Sequence, residues 1–221
     1  MNNWSNNYYT SGNNSINNKK EKEYTTWNYR KVNRSNFNKY SAGILPYTFD
    51  LNGNCLVLLG KDNEGDWSDF GGRSEFKDHN DEKNTASREF YEETLGSVIS
   101  INDCIDKIDS VESKKITSKT LNGSPYYMFL IYVDYINYTE TFNKTANFIK
   151  YHYSQNNHEK NNFYKIFEKN TIRWVNVNTL INCIENRDCS TPLALRGVFY
   201  KTIQTCMSDL LSLRIKQSIN K

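Results

Sequence analysis

A double glycine followed by a glutamate-rich segment constrains this chain more than any other feature. The turn is Gly71-Gly72-Arg73-Ser74-Glu75, and the segment is Arg88-Glu89-Phe90-Tyr91-Glu92-Glu93-Thr94-Leu95-Gly96. On an α-helix Glu89, Glu92 and Glu93 stand at i, i+3 and i+4 and share one face. Adjacent carboxylates repel one another unless a cation lies among them, and hard divalent cations take such oxygen donors. The bland alternative is a solvated acidic face. The glycine turn ahead of the helix and the chain around it tip the balance toward the metal.

At 221 residues the chain suits one domain with additions, or at most two small domains. An apolar content of 37%, with 16 Tyr, 11 Phe and 4 Trp, can furnish a core. A net charge of +3 is mild, so a polyanionic partner would have to be held by local patches. Lys19, Lys20, Lys22, Arg30, Lys31, Arg34 and Lys39 outnumber Glu21 and Glu23 at the start. That is a candidate RNA-facing arm, with a solvated basic tail as the alternative. Cys55, Cys104, Cys183, Cys189 and Cys206 are odd in number and form no CxxC pair, which fits a reducing compartment better than a disulfide framework or a zinc site. An Asn-rich start without an apolar stretch predicts no secretory signal. The run Met128 to Val133 is too short to span a bilayer. A cytoplasmic protein with no membrane partner is expected.

Residues 1–38 read as an Asn-rich, basic, flexible arm, and 39–221 as the folded domain. Strands are expected over Ser41 to Tyr47 and Cys55 to Leu59, joined by a turn at Asn52-Gly53. A helix is expected from about Thr85 to Thr94, with Ala86, Phe90 and Leu95 on its buried side. Ile99 to Val111 is open between strand and short helix. Ile116 to Leu121 and Tyr126 to Tyr135 read as strands around Asn122-Gly123. Thr141 to Tyr153 is weakly helical, and Gln155 to Asn162 reads as a loop. Thr171 to Val175 is a strand, and Val177 to Ile184 the helix after it. Pro192, Leu195, Phe199, Ile203, Met207, Leu210 and Leu213 predict one amphipathic C-terminal helix.

Strands around a single glutamate-rich helix, in this order and with this motif, resemble the Nudix hydrolase family. The family's signature is G, five residues, E, seven residues, then R-E-U-x-E-E-x-G-U, where U is apolar. Gly72 opens the match here, Asp78 stands at the loop glutamate, and nine residues separate it from Arg88. Leu95 is one extra residue before Gly96. Ser41-Ala42-Gly43 resembles the family's first strand, and Ile172-Arg173-Trp174-Val175 with Leu180 its late strand and helix.

The resemblance implies an α/β fold, a mixed β-sheet sandwiched between α-helices, here with the N-terminal arm and an added C-terminal helix. It implies that Glu89, Glu92 and Glu93 ligate Mg²⁺ or Mn²⁺, with Glu92 and Glu93 most direct and the Gly71 carbonyl as a further ligand. Asp78 would pair with Arg88 to hold the loop, and Gly72 and Gly96 are structural parts of the motif. Decapping-type members carry a catalytic glutamate upstream of an aromatic residue, which points to Glu168 before Trp174. Glu168 as an ordinary surface acid stays open, as do Glu159 and Asp134 as competitors. His79, His152 and His158 are dispersed and read as no ligands.

The Asp-Phe-Gly-Gly-Arg turn, the motif helix and the Asn-rich composition look like the Nudix proteins of large nucleocytoplasmic DNA viruses. Several of those resemble mRNA-decapping enzymes, which release 7-methyl-GDP and leave 5′-monophosphate RNA. Such a protein would work in the host-cell cytoplasm on capped RNA. Alternatives are a pyrophosphohydrolase of small polyphosphorylated molecules (diphosphoinositol, nucleoside or dinucleoside polyphosphates) and a non-catalytic capped-RNA-binding module. Tyr47, Trp67 and Phe70 lie near the loop and are aromatic guesses for stacking on a cap, with core packing the favoured reading of each; no substrate-binding residue is assigned.

Overall fold

The structure, a computed structural model, describes residues 39–155, 167–185 and 193–219, with side chains to residue 213. The expectations for the arm over 1–38, for Glu159, His158, Cys189 and Pro192, and for most of the loop after Gln155 lie outside the described residues.

Among the described residues seven strands form one sheet: β1 (Ser41–Phe49), β2 (Cys55–Asp62), β3 (Trp67–Ser68), β4 (Phe70–Arg73), β5 (Lys114–Lys119), β6 (Pro125–Tyr132) and β7 (Lys169–Asn176). The main order is β3-β2-β1-β6-β5, with β4 paired to β1 and β7 to β2. The sheet is mixed. β1 and β6 run parallel, while the β1/β2, β1/β4, β2/β7 and β5/β6 pairs are antiparallel. The Asn52-Gly53 turn closes β1 onto β2, with Gly53 at φ 86° and the Asp50 carboxylate accepting from the N–H groups of Asn52 and Asn54. Asn122-Gly123 does the same between β5 and β6, with Gly123 at φ 82°.

Helices cover both faces, which is why the central strands are apolar almost without interruption. On one face α1 (Glu82–Glu93), α2 (Ile101–Asp109) and α3 (Tyr138–Gln155) pack through Ala86, Phe90, Cys104, Ile108 and Phe142 onto Ala42, Ile44, Leu58, Phe129, Ile131 and Ile172. On the other, α4 (Val177–Glu185), α5 (Gly197–Thr205) and α6 (Met207–Ile219) meet Leu45, Val57, Leu59, Met128, Leu130 and Val175. The expected mixed sheet between helices is what the chain builds.

Three local expectations change. The ambiguous segment is the helix α2, started by the Ser100 side chain accepting from Asp103 N–H. The glutamate helix begins at Glu82, earlier than Thr85, because Asp81 caps it through Lys83 N–H. The single C-terminal helix is two, broken at Cys206. Leu195 is not helical; it bridges Trp67 at the sheet edge, where Trp67 N–H donates to Ala194 O at 2.7 Å. Cys55, Cys104, Cys183 and Cys206 are buried. Among the described residues no helix is long and apolar enough to cross a membrane.

Candidate metal centre

Helix α1 is fastened to the sheet by Phe90, whose ring meets the Phe70 ring edge-on with centroids 5.3 Å apart. Phe70 begins β4, so this contact sets the glycine turn against the glutamate face. The two glycines then serve different carboxylates. Gly71 N–H donates to Glu93 Oε2 at 2.9 Å. The Glu89 carboxylate lies directly on Gly72, where a Cβ would come within 2.5 Å of it. Only backbone without a side chain at Gly72 lets the Glu89 carboxylate approach this closely.

Arg88 faces the loop and ties it down. Its Nε and Nη2 donate to the two Asp78 oxygens at 2.9 and 3.0 Å, and Nη2 also to Arg73 O at 3.0 Å. Asp78 is buried and accepts two further bonds, from Glu75 N–H and the Thr85 hydroxyl. The longer loop turns through His79 and Asn80, both left-handed at φ 57° and 58°, and so still brings Asp78 to Arg88. At the other end of α1 the displaced Gly96 still ends the helix. Leu95 and Gly96 are both left-handed, at φ 54° and 64°, and Gly96 N–H donates to Tyr91 O at 2.8 Å.

The glutamates are not equivalent. Glu89 and Glu93 are buried, while the Glu92 side chain is 51% exposed. Glu92 is drawn outward between Arg88 Nη1 at 2.9 Å and Lys77 Nζ at 3.4 Å. Burial pushes the Glu89 carboxyl up to about 7, although Arg88 beside it works the other way. Burial pushes Glu93 up to about 8, against the pull of Lys169; Glu168, Glu89 and Asp69 add to the rise through their like charges. Glu168 sits in the bend before β7, exposed, and its charge acts on both Glu89 and Glu93.

Two features were not foreseen from the sequence. Lys169, the neighbour of Glu168, is buried and lies 3.5 Å from Glu93 Oε1. Tyr126 reaches in from β6 and donates its hydroxyl to Asp69 Oδ2, with both groups buried. Its oxygen lies so close to Gly43 and Gly71 that a Cβ on either would come within 2.8 Å of it. Burial raises Asp69 to about 6, opposed by the Tyr126 hydrogen bond and by Lys169 and Arg196. Gly60, a glycine within an apolar strand, was the available signal, since such positions mark close approach of other groups.

Of the two readings of the aromatic residues, core packing is the one the fold adopts. Tyr47, Trp67 and Phe70 are buried in the core. Arg173 already covers the Trp67 ring, with its guanidinium carbon 4.3 Å from the centroid. Side chains that pack the sheet are not available to stack on a ligand. Asp134, His79 and His152 are exposed, and none of them perturbs Glu89 or Glu93 among the principal causes.

The residues fit a divalent cation by donor chemistry and by the glycine cradle: hard carboxylate oxygens raised chiefly by burial, with Glu89 seated on the bare backbone of Gly72. Spacing qualifies that fit. Among the described residues the acidic trio with all ligand oxygens within 4.8 Å of one another is Asp62, Glu64 and Asp66. That cluster is a local turn, with Asp62 Oδ1 accepting from the N–H groups of Glu64 and Asp66. No trio from Glu89, Glu92, Glu93 and Glu168 is as tight, since Arg88 and Lys77 draw Glu92 outward while Gly71 and Lys169 hold Glu93.

No protein-family model matches the sequence, and no curated protein matches it. Solved structures resemble it in fold. A Nudix hydrolase from M. smegmatis, RenU, is 13% identical, with 78% of this chain and 86% of that one covered at a TM-score of 0.42. The C-terminal domain of mouse MUTYH, solved with human PCNA, is 11% identical over 78% and 90%, with a TM-score of 0.42. A C. elegans Ap4A hydrolase is 13% identical over 80% and 96%, with a TM-score of 0.40. These are likenesses of architecture.

Proposed function

We propose that the chain is a divalent-metal-dependent hydrolase of phosphoanhydride bonds, of the Nudix kind. We propose further that its substrate is the triphosphate bridge of capped RNA, cleaved to 7-methyl-GDP and 5′-monophosphate RNA. The observation that carries the chemistry is the seating of Glu89 and Glu93 on Gly71-Gly72, with Glu168 near enough to act on both.

Glu89 and Glu93 would hold Mg²⁺ or Mn²⁺, with Glu92 and the Gly71 carbonyl as further donors. A bound divalent ion supplies charge screening for the phosphates and acidifies a water. Glu168, exposed and acting on both carboxylates through its charge, would take the proton of the attacking water at a carboxylate oxygen. Arg88 orients: it holds Glu89, Glu92 and the loop at once. The RNA substrate is supported by the basic excess of the first forty residues, which suits a phosphate backbone.

Cap-labelled RNA incubated with Mg²⁺ or Mn²⁺ should release 7-methyl-GDP. No release, alongside rapid cleavage of diphosphoinositol or dinucleoside polyphosphates, would move the substrate to small molecules and retire the RNA assignment. Glu93→Gln should abolish turnover with the fold intact, and an active variant would remove Glu93 from the site.

A further inference from the structure

Lys169 is a buried charged residue that the proposed hydrolysis leaves unused, and its side chain is only 1% exposed. Burying an ammonium is strongly unfavourable unless something on the inside receives it. Three features of the fold receive this one.

The first is a register shift. β7 pairs with β2 residue for residue from Asn176 to Thr171, and then Lys169, not Asn170, lies opposite Asp62. With an unbroken period of two, Lys169 would share the face of Thr171, Arg173 and Val175, toward the C-terminal helices. The bulge turns it to the opposite face, beneath α1. The second is Gly60, where a Cβ would come within 2.8 Å of the lysine Cδ and 3.0 Å of its Cε. The third is polar: Nζ donates to Ser68 Oγ at 2.7 Å and lies 5.9 Å from the Phe70 ring centroid. What this seat achieves is a cation 3.5 Å from Glu93 Oε1, while Oε2 is taken by Gly71 N–H. Glu93 also feels Glu168, Glu89 and Asp69 as like charges, and the charge of Lys169 opposes them there.

We propose that Lys169 is a built-in counter-cation of the carboxylate site: its ammonium holds Glu93 in place and competes with a divalent ion for that carboxylate. The identity of the ion rests on the proposed hydrolase function; the pairing with Glu93 does not. Lys169 is a positioning residue. It lets four acids share one region of the fold, and it weakens ion binding there by placing a fixed positive charge beside the ion.

Lys169→Met tests this, because it keeps an apolar stem over Gly60 and Phe70 and removes the charge. Calcium binding by the full-length proteins is measured calorimetrically across a series of pH values and the high-pH plateaus are compared, because removing Lys169 takes away the cation that lowers Glu93. The variant should bind Ca²⁺ about tenfold tighter, as expected when a like charge is removed beside the ion. Equal or weaker affinity, including no binding by either protein, overturns the competition.

The second arm is urea denaturation in EDTA of wild type, Lys169→Met, Glu93→Gln and the double variant. The lysine substitution should cost much less stability in the Glu93→Gln background than in wild type. A Lys169→Met that folds only together with Glu93→Gln is the strongest form of that coupling. Additive losses, or failure of both lysine variants to fold while Glu93→Gln alone folds, overturn the pairing. If both arms come out as expected and wild type hydrolyses no phosphoanhydride, the proposed function falls and the role of Lys169 stands.

Discussion

Arg88 and Asp78 form a two-pronged ion pair across the loop that precedes α1, with Nε to Oδ1 at 2.9 Å and Nη2 to Oδ2 at 3.0 Å. Burial on its own would push the Asp78 carboxyl up, but the bonds from Arg88, Glu75 and Thr85 outweigh it and hold the group below its ordinary value. Asp78→Ala would leave a buried guanidinium without its main partner. A loss of about 3–5 kcal/mol is expected, since breaking one side of a buried pair exposes the other to its full desolvation cost. Urea denaturation measures it, and a loss under about 1 kcal/mol would mean the loop is held elsewhere.

Gly71 and Gly72 should answer differently to alanine. At Gly72 the new Cβ meets the end of a flexible side chain, the Glu89 carboxylate at 2.5 Å, which can swing away. At Gly71 it meets backbone, Gly43 Cα at 2.6 Å and Ala42 O at 2.8 Å, which cannot. Gly72→Ala is expected to stay folded and lose Mn²⁺ binding and turnover. Gly71→Ala should lower the melting temperature by several degrees, as a cost of about 1–3 kcal/mol implies. Paired thermal melts and Mn²⁺ titrations distinguish them, and an unaltered Mn²⁺ affinity in Gly72→Ala would detach Glu89 from the site.

Stability should depend on pH in a set direction. Glu89 and Glu93 have an ordinary value of 4.5 and are raised by burial to about 7 and about 8. Between pH 4.5 and 8 the folded protein therefore holds protons that the unfolded chain has released. Their contribution is fully present below that window and is lost as pH rises through it. In EDTA the urea midpoint should fall from pH 5 to pH 8. Saturating Mg²⁺ should flatten the slope, because ion binding displaces those protons. A midpoint that climbs over the same range in EDTA would contradict the buried placement of both groups.

Glu168→Gln separates chemistry from architecture. The side chain is exposed, so stability should change by no more than about 0.5 kcal/mol. Turnover should fall by about 10²–10⁴, the usual contribution of a general base. Steady-state kinetics with cap-labelled RNA is the measurement, and near-normal kcat would pass the role to another group.

Much of the fold was legible because its signals are local. Asn52-Gly53 and Asn122-Gly123 needed left-handed backbone and formed the two hairpin turns. The C-terminal stripe misled by one helix too few. Leu195 belongs to the apolar period but is recruited to the edge of the sheet beside Trp67, and the break at Cys206 carries no proline or glycine to announce it. Trp67 and Phe70 lie near the glycines in sequence, which left a ligand contact open beside the favoured core reading. In the sheet they point into the core, a matter of strand alternation that their spacing did not reveal.

The glutamate face was determined by sequence alone, since a period of 3.6 residues aligns Glu89, Glu92 and Glu93 wherever the helix goes. Tertiary structure alone decided which of them would be buried, and what would answer their charge. Burial beneath α1 raised the proton affinities of Glu89 and Glu93, while Glu92 was left to solvent, Arg88 and Lys77. Lys169 reads in sequence as one more surface cation. A bulge between two strands, a notch at Gly60 and a serine 101 residues away made it the counter-charge of the site. Those are relations between distant strands, and no local period carries them.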